Sequence, residues 1–173
     1  MLAIFALIGC AGQNKIPTST EKLLRTILES PNEELYHLES TAIGLGQDDP
    51  DPDEVETARK SAEELKSAWE KAVGECFVDG MFDTFWESPE RVYFLDAAGA
   101  KDMSISVGKM ESVKKEDNIQ HIQTTLKVTP NHGKDSEAEE FVVSWRVIYD
   151  KEQPELIQSL ELTDDGGFWE SIR

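Results

Sequence analysis

After Ala97-Ala98-Gly99 the apolar residues stop recurring at steps of three and four and begin to alternate, a change of period that constrains the fold more than any other feature of the chain. Before the break, Val55, Ala58, Ala62, Leu65, Trp69, Val73 and Cys76 trace one face of a long helix over about residues 53–79. Beyond it, four runs alternate. Met103, Ile105 and Val107 lead the first, with Gly108 a candidate bulge before Met110 and Val113. Ile122, Thr124, Leu126 and Val128 form the second, and Phe141, Val143, Trp145, Val147 and Tyr149 the third. Leu156, Gln158, Leu160 and Leu162 form the fourth. Turns at Lys115 to Asn118, at Asn131-His132-Gly133 and at Pro154 make an antiparallel meander the economical connection. Helices first and strands afterwards predict an α+β domain over residues 18–173, with helices on one face of a four-stranded antiparallel sheet.

The helical half carries its own punctuation. Thr18-x-x-Glu21 is a capping-box pattern ahead of Leu23, Leu24, Ile27 and Leu28. Ser30-Pro31-Asn32-Glu33 predicts a second helix, with Leu35, Leu38 and Ala42 facing the core and Gly44 and Gly46 stopping it. Asp53-x-x-Glu56 predicts the start of the long helix, and Gly80 interrupts or caps its end. Met81, Phe82, Phe85 and Trp86 continue as an aromatic-rich segment, and Ser88-Pro89-Glu90 starts a short helix through Leu95. Along the long helix Arg59 with Glu63, Lys60 with Glu64, Lys66 with Glu70 and Lys71 with Glu75 stand at i,i+4. The base precedes the acid each time, the less favourable order, so the pairs mark a solvated face.

This order of elements resembles the NTF2-like and cystatin-like families, on the strength of Trp69 and the faces led by Phe141 and Ile122. The resemblance is architectural and has no diagnostic motif. It implies a long helix lying across a curved sheet, with a hollow between them in which such folds hold small molecules or perform acid-base chemistry. Tyr36, Tyr93, Tyr149, Asp83 and Glu87 are the polar residues available to that hollow.

The first ten residues speak to location. Leu7-Ile8-Gly9-Cys10, after an uncharged apolar stretch and before Ala11-Gly12-Gln13-Asn14, resembles the lipobox of bacterial lipoproteins. The resemblance implies cleavage before Cys10 and a lipid, palmitate among its chains, on the cysteine. Residues 1–9 lack the basic opening of a secretory signal, so they read as a truncated signal peptide whose start lies upstream. They are also too short to span a bilayer. Residues 10–17 then form a lipidated tether, and several acyl chains would hold the domain at the extracytoplasmic face of the cell membrane. The chain as a whole resembles small bacterial extracytoplasmic lipoproteins of undefined role.

Chemistry is sparse. The 17 basic and 35 acidic residues give a net charge of −18, which opposes nucleic acid and anionic headgroups and disfavours a phosphate-binding role. Two cysteines make neither a disulfide framework nor a zinc site, and Cys76, between Val73 and Phe77, reads as a core residue. Asp49, Asp51 and Asp53 have the spacing of a calcium loop, yet Glu54 stands at its glycine position and Lys60 at its twelfth. A charged loop leading into the helix is the better reading. His37, His121 and His132 have no metal spacing, so neither metal nor cofactor is expected. Trp145 alternates into the sheet core and Trp86 lies in the aromatic segment, whereas Trp169, after Asp164-Asp165-Gly166-Gly167, either closes the core edge or offers a contact. The expected function is a non-enzymatic, membrane-anchored module that binds an envelope protein, peptide or small ligand. The alternative is a small-molecule-binding or hydrolytic domain using the hollow.

Overall fold

A computed structural model describes residues 15–36, 52–131 and 137–173. Among the described residues five helices pack on one four-stranded antiparallel sheet, so the α+β class expected from the change of period is the class observed. Helix α1, Thr18–Leu28, buries Leu23, Leu24, Ile27 and Leu28 completely, as their spacing requires. Its capping box does not form. Thr18 is already helical, Pro17 occupies the cap without a side-chain bond, and the Glu21 carboxylate instead accepts from Arg25 at 3.3 Å.

The helix start expected at Ser30 is also overturned, because a tertiary pairing takes its backbone. Ser30 exchanges bonds with Ile105, donating at 2.9 Å and accepting at 3.0 Å, and the chain then turns through Asn32 to Tyr36. Leu35 is buried there and its carbonyl accepts from Trp69 Nε1 at 2.8 Å. Leu38, Ala42, Gly44 and Gly46 lie outside the described residues.

The long helix α2 runs Pro52–Val73, beginning on Pro52 with Asp53 inside its first turn rather than at the cap. It is shorter than expected. A 3₁₀ turn, Gly74–Cys76, ends it, after which Phe77 bridges to Ile157 and the Val78 amide donates to the Ile157 carbonyl at 3.0 Å. Gly80, in the left-handed region at φ 80°, therefore caps the start of α3, Met81–Trp86, instead of the end of α2. Ser88 does cap, accepting from the Glu90 amide at 3.2 Å, but it opens only a 3₁₀ turn, Pro89–Arg91. A separate α4, Tyr93–Lys101, follows with Ala97 and Ala98 in its buried face, so the period switches at Asp102 rather than at Gly99.

Strands β1, Met103–Glu116, β2, Ile119–Pro130, β3, Glu139–Tyr149, and β4, Ile157–Asp164, lie in the order β1-β2-β3-β4. The register shift between Val107 and Met110 sets Gly108 and Lys109 together opposite Thr125, so the irregularity falls where Gly108 led one to expect it. Ile122, Thr124, Leu126 and Val128 face inward on β2, as do Val143, Trp145, Val147 and Tyr149 on β3, with Ile122 opposite Trp145, Thr124 opposite Val143, and Leu126 opposite Phe141, which is half-buried at the margin. The inward set expected for β4 is wrong at its start. Opposite Ile148 and Tyr149 the partners are Ser159 and Ile157, so Gln158 is the extra residue of an irregularity. Gln158 is consequently exposed and Ile157, not Leu156, is fully buried.

The core fills the space between the layers. Trp69, Phe77, Phe82 and Phe85 cluster with ring centroids 4.8 to 6.4 Å apart, and Phe94 stands 6.2 Å from Trp145 and 5.0 Å from Phe168. Only the last turns of α2 join this core. Trp69 and Val73 are fully buried, whereas Val55 is 47% exposed and Ala62 is exposed. The solvated face of α2 uses Arg59 with Glu56 and Glu63, but Lys66 reaches Asp83 at 2.6 Å and Glu75 pairs with Lys22.

Candidate functional site

The chain enters the domain through Lys15, Ile16 and Pro17, and that entrance is fixed from beneath by a buried polar network. Gln120 on β2 is completely buried, which requires partners for every polar atom of its amide. Its Nε2 donates to the Ser112 hydroxyl at 2.7 Å and to the Lys15 carbonyl at 3.3 Å, while its Oε1 accepts from the Tyr149 hydroxyl at 2.9 Å. Having one proton, the phenol accepts from the buried Thr20 hydroxyl, also 2.9 Å away. Burial pushes the Tyr149 phenol up to about 12, against the lowering bond from Thr20. Four elements and the incoming chain are thus joined through one glutamine and one tyrosine.

Above the network lies an open cleft of about 660 Å³. The first turn of α1 supplies Thr18, Ser19 and Lys22, the 3₁₀ turn supplies Glu75 and Cys76, the tip of β1 supplies Lys115, and the loop before β4 supplies Pro154, Glu155 and Leu156. That loop is held in shape by the Asp150 carboxylate, which accepts from the amides of Glu152 and Gln153 at 2.8 Å. It is tied to α1 where the Ser19 hydroxyl donates to the Glu155 carbonyl. Lys22 and Glu75 pair at 2.9 Å across the cleft wall. Their bond raises the Lys22 ammonium and lowers the Glu75 carboxyl, the direction expected of a partnered pair. Cys76, beneath them, is 1% exposed, and burial pushes its thiol up, so it serves as a small core residue as expected.

A second, apolar groove lies between α4 and the carboxyl-terminal helix α5, Phe168–Ser171. Ala97, Ala100, Trp169 and Ile172 line a hollow of about 310 Å³, with Lys101 and Arg173 at its rim. Phe168 is fully buried and closes the core, while Trp169 is 40% exposed and stacks on Tyr93 at 5.6 Å. The adjacent residues thus divide between them the two roles open to Trp169 alone.

The polar residues expected to share a hollow do not converge. Tyr93 donates to Asp165 at 2.8 Å, Tyr149 belongs to the Gln120 network, and Asp83 holds Lys66 on the surface. The Tyr36 phenol is pushed up by burial and by the neighbouring Asp96 carboxylate. Trp86 lies under Arg91, whose guanidinium carbon is 4.0 Å from the ring centroid, and Trp145 is completely buried. Among the described residues no group of His, Cys, Asp and Glu is placed to hold a metal ion. Asp49, Asp51, His37, His132 and Cys10 lie outside the described residues, and Asp53 is exposed on α2. Among the described residues no helix is long and apolar enough to cross a membrane.

Sequence reasoning missed the cleft because its walls come from residues 15, 22, 75, 115 and 155, which no local pattern connects. The one available signal was Gln120 in the inward-alternating register of β2, a polar amide where an apolar residue belongs. The chain matches no family model, no curated protein and no solved structure.

Proposed function

We propose that this protein is a membrane-anchored extracytoplasmic binding module, tethered through lipid on Cys10, whose binding surface is the cleft around the chain's entrance. One observation carries the reading: Gln120 and Tyr149 grip the chain at Lys15, beside an open cleft of about 660 Å³. Lys15 stands five positions after Cys10, a reach of at most about 18 Å in extended chain. A lipid on Cys10 would therefore hold the cleft close to the bilayer, and the rigid grip would transmit that tether to the whole domain. The filled space between helices and sheet supports binding at this open surface over chemistry in an interior hollow, since Trp69, Trp145, Tyr149 and Phe94 occupy that space.

The anchor is tested by expressing the reading frame with its upstream sequence, with and without Cys10→Ala, and fractionating the cells. The unmodified protein should sediment with membranes and take up labelled palmitate, and the variant should do neither. Membrane retention of the variant would rule out the anchor.

A further inference from the structure

Resting on the reading of this cleft as the binding surface, we infer that its ligand is a phosphate ester, whose oxyanion is held by Lys15 and Lys115. The chain carries 35 acidic residues against 17 basic ones, so an acidic lining is the expectation for any cleft it forms. This one is lined by Lys15, Lys22 and Lys115 against Glu75 and Glu155. Lys22 and Glu75 neutralise each other at 2.9 Å. Glu116 pairs with Lys114 at 2.8 Å and Asp117 with Lys151 at 3.3 Å, which leaves Glu155 as the one lining carboxylate set against two lysines. Among the described residues, Lys15 and Lys115 have no carboxylate partner, and both are exposed. Two ammoniums from distant parts of the chain, with no carboxylate partner among the described residues, thus line one cleft.

The charge and the shape of the cleft suit such a ligand. No arginine lines it, and a lysine ammonium is a point charge that can meet a phosphate oxyanion from any direction, without the fixed fork of a guanidinium. A volume of about 660 Å³ is far larger than a bare phosphate needs. Ile16, Pro17 and Leu156 give the remainder an apolar wall against which an organic group can pack. The first turn of α1, uncapped by any side chain, opens onto the same space and adds its amides to the lysines. The net charge of −18 opposes anions at long range, but at physiological ionic strength charges beyond roughly 8 Å are largely screened. The local pair of ammoniums then decides.

Such a phosphate is supplied either by a lipid headgroup or by a soluble ester, and one experiment separates the two. The full chain carrying Cys10→Ser is titrated with glycerol 3-phosphate, with phosphatidylglycerol vesicles and with phosphatidylcholine vesicles, following amide chemical shifts. Removing the acyl site keeps this test independent of the anchor. Saturable shifts at Thr18, Ser19 and Lys115 are expected with glycerol 3-phosphate, weakened about tenfold or more by Lys15→Gln with Lys115→Gln. Stronger binding to phosphatidylglycerol vesicles than to the soluble ester assigns a headgroup, and the reverse assigns a soluble ester. Both lysines are exposed, so the double variant should unfold at the unaltered temperature, and that measurement confirms that a lost titration reflects lost binding. Absence of saturation with every probe, or equal binding by the double variant, overturns the inference.

Discussion

Gly166 shows how much one residue can decide. It stands at φ 64°, and a Cβ built there would lie 2.4 Å from the Val142 carbonyl oxygen, so both the backbone conformation and the close approach require glycine. Gly166→Ala should cost about 1 to 3 kcal/mol and displace the turn that aims Phe168 into the core. Chemical denaturation would show the loss as a lower midpoint, and an unchanged midpoint would mean that the turn relaxes freely. Tyr149 makes a different demand. Removing its hydroxyl strands the Gln120 Oε1 and the Thr20 hydroxyl in the interior, so Tyr149→Phe should cost about 1 to 3 kcal/mol although no packing volume is lost. Amide exchange at Ile16 and the first turn of α1 should accelerate more than exchange in β3, because the network is what fixes the chain's entrance. At this scale the sequence was legible wherever burial followed local spacing, as at Trp69, Cys76 and Trp145. Gln120 alternated inward like its neighbours, yet its partners Lys15, Ser112 and Tyr149 are set by strand pairing and chain path, which no spacing encodes.

Among the elements, α2 is docked at one end only. Trp69→Ala should cost about 3 to 5 kcal/mol, since it empties a site packed against Phe85 and strands the Leu35 carbonyl. Ala62→Lys, on the same apolar stripe but exposed, should change stability by about 0.5 kcal/mol or less. Equal effects of the two, measured by thermal unfolding, would contradict the half-docked arrangement. The contrast also shows what periodicity can and cannot reveal. The stripe from Val55 to Cys76 correctly announced a helix, but only contact with α1 and α3 determines which of its turns are covered. The same limit applies to Ser30 and Gln158. A local capping pattern lost to pairing with Ile105, and an irregularity opposite Tyr149 shifted the inward set of β4, so the elements were legible and their ends were not. The cleft, built where four such ends meet the entering chain, was therefore beyond reach of local patterns.

For the molecule as a whole, the distribution of proton sites predicts an asymmetric response to pH. On the acid side, burial works to raise the Asp165 carboxyl, but the Tyr93 hydroxyl and the amides of Gly167 and Trp169 outweigh it and hold the group below its ordinary 3.8. A depressed carboxylate contributes stability above its unfolded value and loses it as pH falls through the folded one, so this contribution disappears only below about pH 4. On the alkaline side, burial raises Tyr149 and Tyr93 to about 12 each. A raised phenol contributes stability that is full below its unfolded value near 10 and is lost as pH rises to the folded one. The −18 charge adds self-repulsion at neutral pH, and ionised tyrosines in the unfolded chain steepen the loss. Stability should therefore hold from about pH 5 to pH 9 and fall between about pH 10 and pH 12. Tyr149→Phe should flatten that alkaline limb while lowering stability at pH 7, and Asp165→Asn should flatten the acid limb and, by removing the carboxylate that helps raise Tyr93, soften the alkaline one as well. Denaturant midpoints across the pH range would read both slopes. An alkaline limb as steep in the Tyr149 variant as in the parent would mean that this phenol ionises as freely in the fold as outside it, and that the network beneath the cleft is open to water.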